Sequence, residues 1–227
     1  MMFVKPSDKD WNLFKRWAKE EGWSLYRKEL ADAVLALKEK NNCCGFVTAV
    51  AYEKSGWIGN LIVPEHRRGK GYGRALFEKT IQALEQKGLD SIWLTASKSG
   101  QPLYQQYDFK AIGSIERFVL HPDKIQTKTA PTQTIETLLA ADAACWNVSR
   151  AALLSALTGQ SRVFTSGKSG ALLQQHADFQ IIGPWYSPAR ATDELSDILQ
   201  KCRSHLKPGI PAVVDIVNDQ TVLVARQ

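Results

Sequence analysis

Residues 57–76 read WIGNLIVPEHRRGKGYGRAL, and this stretch decides the fold. It begins with an apolar run, Trp57–Val63, that is typical of a β-strand. Pro64 ends the run, and a basic, glycine-rich loop follows. From Tyr72 onward the apolar residues recur at helical spacing, and a second apolar run follows at Ser91–Thr95. The order of strand, loop, helix and strand predicts a crossover unit that pairs its two strands in parallel.

Two common phosphate-binding patterns do not fit the loop. A P-loop requires Ser or Thr after its Gly-Lys pair, where this loop has Gly71. A dinucleotide-binding fingerprint that starts at Gly69 requires a third glycine, where this loop has Arg74. The pattern that fits is R-x-x-G-x-G, which places Arg68, Gly71 and Gly73 directly before the helix.

The loop has the features of an anion-binding site. Glycines allow successive backbone N–H groups to turn inward, and the helix that follows adds the positive end of its dipole. The segment from Pro64 to Arg74 also carries four basic residues against Glu65, a net charge of +3. These features predict a cradle for a pyrophosphate.

The elements around this unit predict an α/β domain with a mixed sheet. A helix that starts after Ser7 or Asp8 precedes two apolar runs, Ala33–Leu37 and Cys44–Tyr52. With Trp57–Val63, these runs form an antiparallel meander, because short turns connect them. A further helix is predicted at residues 25–30, a short helix at 101–107, and one last strand or hairpin arm at 109–120.

The chain also contains a faint internal repeat. Ile58 to Pro64 aligns with Ile182 to Pro188 at an offset of 124 residues, and a hairpin precedes each segment. This order predicts a duplicated fold whose second copy is shorter, with a helix near 149–157 and strands at 162–166, 170–175 and 212–217. The expected bounds are residues 1–126 for the first domain, 127–134 for a linker and 135–227 for the second domain.

Composition excludes several classes of protein. The 227 residues are 44% hydrophobic and 23% charged, an ordinary globular balance rather than that of a disordered chain or a coiled coil. No apolar run reaches about 18 residues, and the N-terminal MMFVKPSDKD lacks the apolar stretch of a secretory signal, so we expect no membrane partner. A pI of 9.1 suggests nucleic acid as a binding partner. The basic residues are concentrated in one short loop, however, and the sequence has no nucleic-acid-binding motif, so a small polyanion is favoured as the ligand.

The four cysteines form neither a disulfide framework nor a C-x-x-C pair. We therefore expect four buried thiols in a cytoplasmic protein.

Residues 57–109 resemble the GNAT superfamily of N-acetyltransferases. Leu61 to Val63 and Arg68 to Leu76 are similar to the acetyl-CoA motif of that family. Pro102 to Phe109 is similar to its second motif, with Asp108 where the family usually has glycine. The layout resembles a two-domain bacterial subgroup with a second, GNAT-like half. That half has residues 187–192 in place of R-x-x-G-x-G, so we expect it not to hold a pyrophosphate in the same way.

The resemblance implies a site and a cosubstrate. Acetyl-CoA is implied as the cosubstrate, with no metal. The Leu61 amide is implied to polarise the thioester carbonyl, and Tyr104 to protonate the departing thiolate. The implied cofactor-binding residues are Leu61, Ile62, Val63, Arg68, Gly69, Lys70, Gly71, Tyr72, Gly73 and Arg74.

The implied activity is transfer of an acetyl group from acetyl-CoA to a primary amine by direct attack in a ternary complex. The acceptor is a small-molecule amine or a protein amine. Trp23, Tyr26 and Trp57 are candidates to line its pocket, although tryptophans are more often core residues. The general base is open among Tyr52, Glu53, His66 and a water chain, because the strand Trp57–Val63 contains no carboxylate. A non-catalytic acyl-CoA-binding or regulatory protein is the alternative, and a homodimer is compatible with either.

Overall fold

The chain folds as two compact units, each with its own sheet and apolar core. The computed structural model describes residues 1–23, 33–122, 135–159, 161–187, 192–217 and 224–226. The first unit comprises Met1–Gly113 and Val222–Gln227, and the second comprises Ser114–Thr221. The predicted fold class, mixed α/β, is confirmed.

In the described part of the chain, the first unit contains a seven-stranded sheet with three helices. Its strands are β1 (Met2–Val4), β2 (Ala33–Glu39), β3 (Asn42–Ala51), β4 (Ser55–Ile62), β5 (Ser91–Leu94), β6 (Lys110–Ala111) and β12 (Val224–Arg226). Its helices are α1 (Asp8–Glu20), α2 (Tyr72–Glu85) and α3 (Gln101–Gln105). The strand order is β1-β2-β3-β4-β5-β12-β6. The predicted meander and crossover unit are confirmed, since β2, β3 and β4 pair antiparallel while β4 and β5 pair in parallel.

The predicted cap of α1 is confirmed. Ser7 and Asp10 form a reciprocal capping box, in which each side chain accepts a hydrogen bond from the backbone N–H of the other residue. The Trp17 and Phe14 rings pack against Phe46 of β3, with centroids 5.9 Å and 5.5 Å away. This packing holds the C-terminal end of α1 against the sheet.

Helix α2 lies on the sheet close to β3 and β4. Leu76 and Phe77 are fully buried in the larger apolar core. Gly45 permits this approach, because a Cβ there would lie 2.8 Å from the Ile62 carbonyl oxygen and 2.9 Å from Leu76. The start of α2 is thereby placed beside the end of β4.

The segment 109–120, expected as one arm of the first domain, is divided between the two sheets. Residues 110–111 form β6 of the first sheet, while β7 (Ile115–Leu120) pairs with β11 (Ala212–Val217) in the second. β12, near the end of the chain, pairs with β5 and β6. The units therefore differ from the expected bounds: the first ends at Gly113 rather than 126 and takes its last strand from the C-terminal end. The expected linker at 127–134 and helix at 25–30 lie outside the described residues.

Besides β7 and β11, the described residues of the second unit form α4 (Ile135–Trp146), α5 (Ala151–Thr158), β8 (Ser161–Ser166), β9 (Ser169–Gln175), β10 (Gln180–Tyr186) and α6 (Thr192–Ser204). The five strands form one sheet in the order β7-β11-β10-β9-β8. The predicted hairpin of β8 and β9 and the strand β11 are confirmed. Helix α4 was not predicted, because its sequence, IETLLAADAACW, has apolar residues on most of its circumference.

The two sheets share one detail of pairing. The parallel ladder of β4 and β5 ends at Ile58 and Leu94, and that of β10 and β11 ends at Ile182 and Val214. Ile58 and Ile182 are also equivalent in the sequence repeat. In each sheet the two parallel strands therefore stop pairing before the first of them, β4 or β10, has ended.

All four cysteines are free thiols. The prediction that all are buried is wrong for Cys145, which is exposed on the last turn of α4. No helix in the described ranges combines the length and the apolar content needed to span a bilayer.

Candidate active site

The site begins where β4 and β5 separate. Their last parallel pair is Ile58 with Leu94, where β5 ends, while β4 continues to Ile62. Residues 59–62 therefore have no described partner strand on the β5 side. Main-chain groups along this edge can pair with another extended chain.

A β-bulge turns this part of β4. Between its pairs with Thr48 and Phe46, β4 advances three residues, from Gly59 to Ile62, while β3 advances two. Asn60 is the extra residue of the bulge, and it adopts a positive φ of 53°. The Thr48 hydroxyl donates to the Gly59 carbonyl at 3.0 Å and accepts from Asn60 Nδ2 at 3.1 Å. The bulge directly precedes Leu61 and sets the direction of its main chain.

The glycine-rich loop ends in the first turn of α2. Gly69 and Gly71 have φ values of 77° and 80°, in the region that favours glycine. Gly71 is the N-cap of α2, and its carbonyl accepts from the Ala75 amide at 3.0 Å. The N–H groups of the first turn have no acceptor inside a helix, so they are available to an anion.

These two features line one cleft of about 310 Å³. The resemblance implies eleven site residues, and ten of them line this cleft. The eleventh, Lys70, is exposed on the loop. The lining comprises Glu21, Trp23, Leu61, Ile62, Val63, Arg67, Arg68, Gly69, Gly71, Tyr72, Gly73, Arg74, Ser97, Ser99, Gly100, Leu103 and Tyr104. A cleft of this size is typical of a site for a small-molecule ligand.

Tyr104 is 8% exposed and lies between the apolar core and the cleft. Its ring packs 4.9 Å from Phe77 and 6.4 Å from Phe109, measured between centroids. Gly100 leaves room for the phenol, because a Cβ there would lie 3.1 Å from its ring and 3.3 Å from its hydroxyl. Burial raises the pKa of Tyr104 to about 12, so the phenol keeps its proton at neutral pH.

Other side chains of the loop are held by protein partners. The Tyr72 hydroxyl donates to the Glu39 carboxylate at 2.7 Å, and this bond raises the pKa of Tyr72 to about 12. Arg74 donates to Gln106, and Arg68 donates to Glu21 and to the Val63 carbonyl. The loop therefore offers an anion its backbone amides together with partly engaged guanidinium groups.

Several lining residues were not predicted as part of the site. Glu21 comes from the turn that ends α1, where Gly22 adopts φ 69°. Trp23, a candidate for the acceptor pocket, follows the same turn and lines the cleft. Ser97 and Ser99 precede α3 and share a hydrogen bond of 3.1 Å between their hydroxyls. The turn at Gly22 was visible in the sequence, but its position beside the loop depends on how α1 packs on β3.

Arg67 also lines the cleft, and its guanidinium donates to Cys44 Sγ at 3.4 Å. Three residues considered as the general base, Tyr52, Glu53 and His66, are not among the described residues of the lining, and neither is Trp57. Tyr26, considered for the acceptor pocket, lies outside the described residues.

Residues 5–109 match the family model described as Acetyltransferase (GNAT) family. This segment, somewhat less than half of the 227 residues, is therefore similar to that family. It contains the whole cleft lining, from Glu21 to Tyr104. The search of curated proteins found no match to the sequence.

Solved structures with the GNAT-like fold cover almost the whole chain. A Pyrococcus horikoshii protein to which an acetyltransferase activity is ascribed superposes with a TM-score of 0.77 at 17% identity, covering 99% of this chain and 88% of that one. A GCN5-related N-acetyltransferase from Sphaerobacter thermophilus has a TM-score of 0.66 at 11% identity, covering 99% and 95%. A GCN5-related N-acetyltransferase from Anabaena variabilis has a TM-score of 0.59 at 12% identity, covering 99% and 72%. At these identities the likeness concerns the fold.

The second unit differs from the first at both features that form the cleft. Where β10 and β11 separate, the Trp185 indole N–H donates to the Asp215 carbonyl at 2.9 Å and bridges the two strands. The first turn of α6 carries Asp193 and Glu194. Glu194 accepts from the Ser169 hydroxyl at 2.6 Å and the Lys168 amide at 3.2 Å. Two carboxylates at a helix N-terminus repel an anion.

Proposed function

We propose that this protein is an N-acetyltransferase that moves an acetyl group from acetyl-CoA to a primary amine. The observation that supports it is the convergence of three features on one cleft: the open edge of β4, the glycine cradle at the start of α2, and the Tyr104 phenol. The first two match two parts of coenzyme A, the extended amide-containing arm and the pyrophosphate.

The residues present fit the coenzyme. Residues 59–62 would pair with the pantetheine arm as an additional strand, because their edge toward β5 is open. The first-turn amides of α2 would hold the pyrophosphate, since positive φ values at Gly69 and Gly71 shape the loop without side chains in the way. When bound, acetyl-CoA supplies an activated thioester.

Two groups of the chain have assigned roles in the transfer. The Leu61 amide donates a hydrogen bond to the thioester oxygen as negative charge develops there. The Leu61 side chain packs against the core, so only its main chain takes part. Tyr104 would give its proton to the departing sulfur, and its pKa of about 12 means that the phenol carries that proton at neutral pH.

The amine attacks directly, as a free base, in a complex that contains both substrates. Among the described lining residues, Glu21 is the one with a carboxylate that could act as a base, and that carboxylate is paired with Arg68. We therefore assign no general base. The acceptor is a small-molecule amine or an amine on a protein.

We also propose that the second unit is a duplicated GNAT-like half that has lost coenzyme binding. The equivalent ends of the two parallel ladders support the duplication. The bridge from Trp185 to Asp215 and the acidic start of α6 support the loss.

The test is release of free thiol from acetyl-CoA by the purified chain with a panel of small amines and lysine-containing peptides, together with calorimetry with coenzyme A. Binding with release in the presence of one acceptor class is the expected result. Binding without release for any acceptor would favour the alternative, a non-catalytic acyl-CoA-binding or regulatory protein. A flat calorimetric trace would contradict both.

A further inference from the structure

The guanidinium of Arg68 is already held by two groups of the cleft. Its Nε donates to the Val63 carbonyl at 2.9 Å, and its Nη2 donates to the Glu21 carboxylate. An arginine has five N–H donors, so the remaining ones can still reach a ligand. The residue that the sequence assigns to the pyrophosphate is therefore neutralised by a carboxylate of the same cleft.

Glu21 is fixed in this position by the end of α1. It is the C-cap residue, and its amide donates to the Trp17 carbonyl at 3.0 Å. Trp17 is buried against Phe46, so the turn is anchored to the sheet. Among the described residues that line the cleft, Glu21 is the one acidic side chain, and it stands with three arginines.

We propose that Glu21 is a gate that the coenzyme displaces. Its carboxylate holds Arg68 in the free protein and yields that guanidinium to the pyrophosphate when the coenzyme binds. The inference rests on the proposed function. The exchange is easy because the pair is partly exposed, with side-chain exposures of 44% and 35%, and exposed ion pairs contribute little to stability. A pyrophosphate also carries more charge than one carboxylate and forms stronger charge-assisted bonds.

The test is calorimetry with coenzyme A on the full chain, comparing wild type, Glu21→Gln and the control Glu20→Gln. Glu20 is an exposed neighbour on α1 that lies outside the cleft lining. We expect Glu21→Gln to bind about three- to tenfold more tightly at low salt, and this gain to shrink at high salt as charges are screened. Glu20→Gln should bind like wild type.

The sign of the effect separates the gate from a structural role. A residue that only supports the fold would lower affinity when changed, so equal or weaker binding by Glu21→Gln, with wild type binding normally, would overturn the gate. In an Arg68→Gln background, the Glu21 change should alter affinity by less than about twofold, because no guanidinium remains to be released. An unchanged gain in that background would also overturn it. Absence of binding by every variant is a different outcome, which would overturn the proposed function as well.

Discussion

Asn60 donates its side-chain amide to the Thr48 hydroxyl at 3.1 Å, across the bulge that redirects β4. The same hydroxyl donates to the Gly59 carbonyl at 3.0 Å. Thr48 is 3% exposed, so neither bond can be replaced by bulk water. One buried hydroxyl thus sets the course of the main chain that leads into Leu61.

Thr48→Val should destabilise the protein by about 1–3 kcal/mol, because it leaves two polar groups of the bulge unsatisfied. It should also lower kcat, since the Leu61 amide would lose its direction. Denaturant unfolding and the thiol-release assay measure the two effects. Thr80→Val is the matched control, because Thr80 is a buried threonine on α2 whose hydroxyl bonds to the Leu76 carbonyl. If both variants lowered kcat equally, the bulge would have no special role.

Gly71→Ala should weaken binding of coenzyme A by about tenfold or more, because Gly71 at φ 80° shapes the anion cradle. Placing a Cβ at a left-handed position costs roughly 1–2 kcal/mol of stability in addition. Gly88→Ala is the control for that cost: Gly88 has φ 66° and open space around it, and lies outside the cleft lining. Calorimetry should find normal affinity for Gly88→Ala, and comparable affinities for the two variants would count against the cradle.

Tyr104→Phe should lower kcat by about 10²–10³-fold with little change in coenzyme affinity, since a proton donor acts in the transition state. Tyr107→Phe should retain activity, because the Tyr107 hydroxyl bonds to Glu78 and the residue lies outside the cleft lining. An unchanged kcat for Tyr104→Phe would show that the ring only packs.

The pH dependence of the proposed reaction, measured with the wild-type protein, gives a second check on Tyr104. Burial raises its pKa to about 12, so the phenol remains protonated as the pH rises through its ordinary value of 10. The kcat profile should therefore show no alkaline loss from this group below about pH 11. A falling limb near pH 10 that disappears in Tyr104→Phe would mean that the phenol titrates in a solvated environment.

Calorimetry should find one coenzyme A per chain. The second unit fills the gap between β10 and β11 with Trp185 and places carboxylates at the start of α6. A stoichiometry of two would show that its side chains give way to a ligand and would contradict the proposed loss of binding.

Asp142→Ala should destabilise the protein by about 3–5 kcal/mol, because it leaves the charge of Arg150 buried without its carboxylate. The side chains of this pair are 1% and 7% exposed. The control is Asp197→Ala, which removes the exposed i,i+4 partner of Lys201 and should cost less than about 1 kcal/mol. Urea unfolding measures both, and similar losses would mean that the buried pair contributes no more than a surface one.

The loop from Arg68 to Gly73 shows what a sequence can predict about a site. Its glycines, its charge and the helix that follows are all local, so the glycine-rich loop and the start of α2 could be predicted before any contact was known. The capping box at Ser7 and the hairpin of β8 and β9 were equally local. The bulge at Asn60 was not predicted, because its stabilising hydroxyl comes from a different strand.

The sequence by itself determined where strands, turns and the glycine-rich loop occur, because alternation, helical spacing and glycine placement act over a few residues. Only the tertiary structure decided which strands pair: β7 lies in the second sheet, and β12 enters the first between β5 and β6. It likewise decided that Glu21 meets Arg68, 47 residues away. Strand pairing and contacts of this kind depend on packing between distant segments. The sequence of a short apolar strand does not indicate which sheet the strand will join.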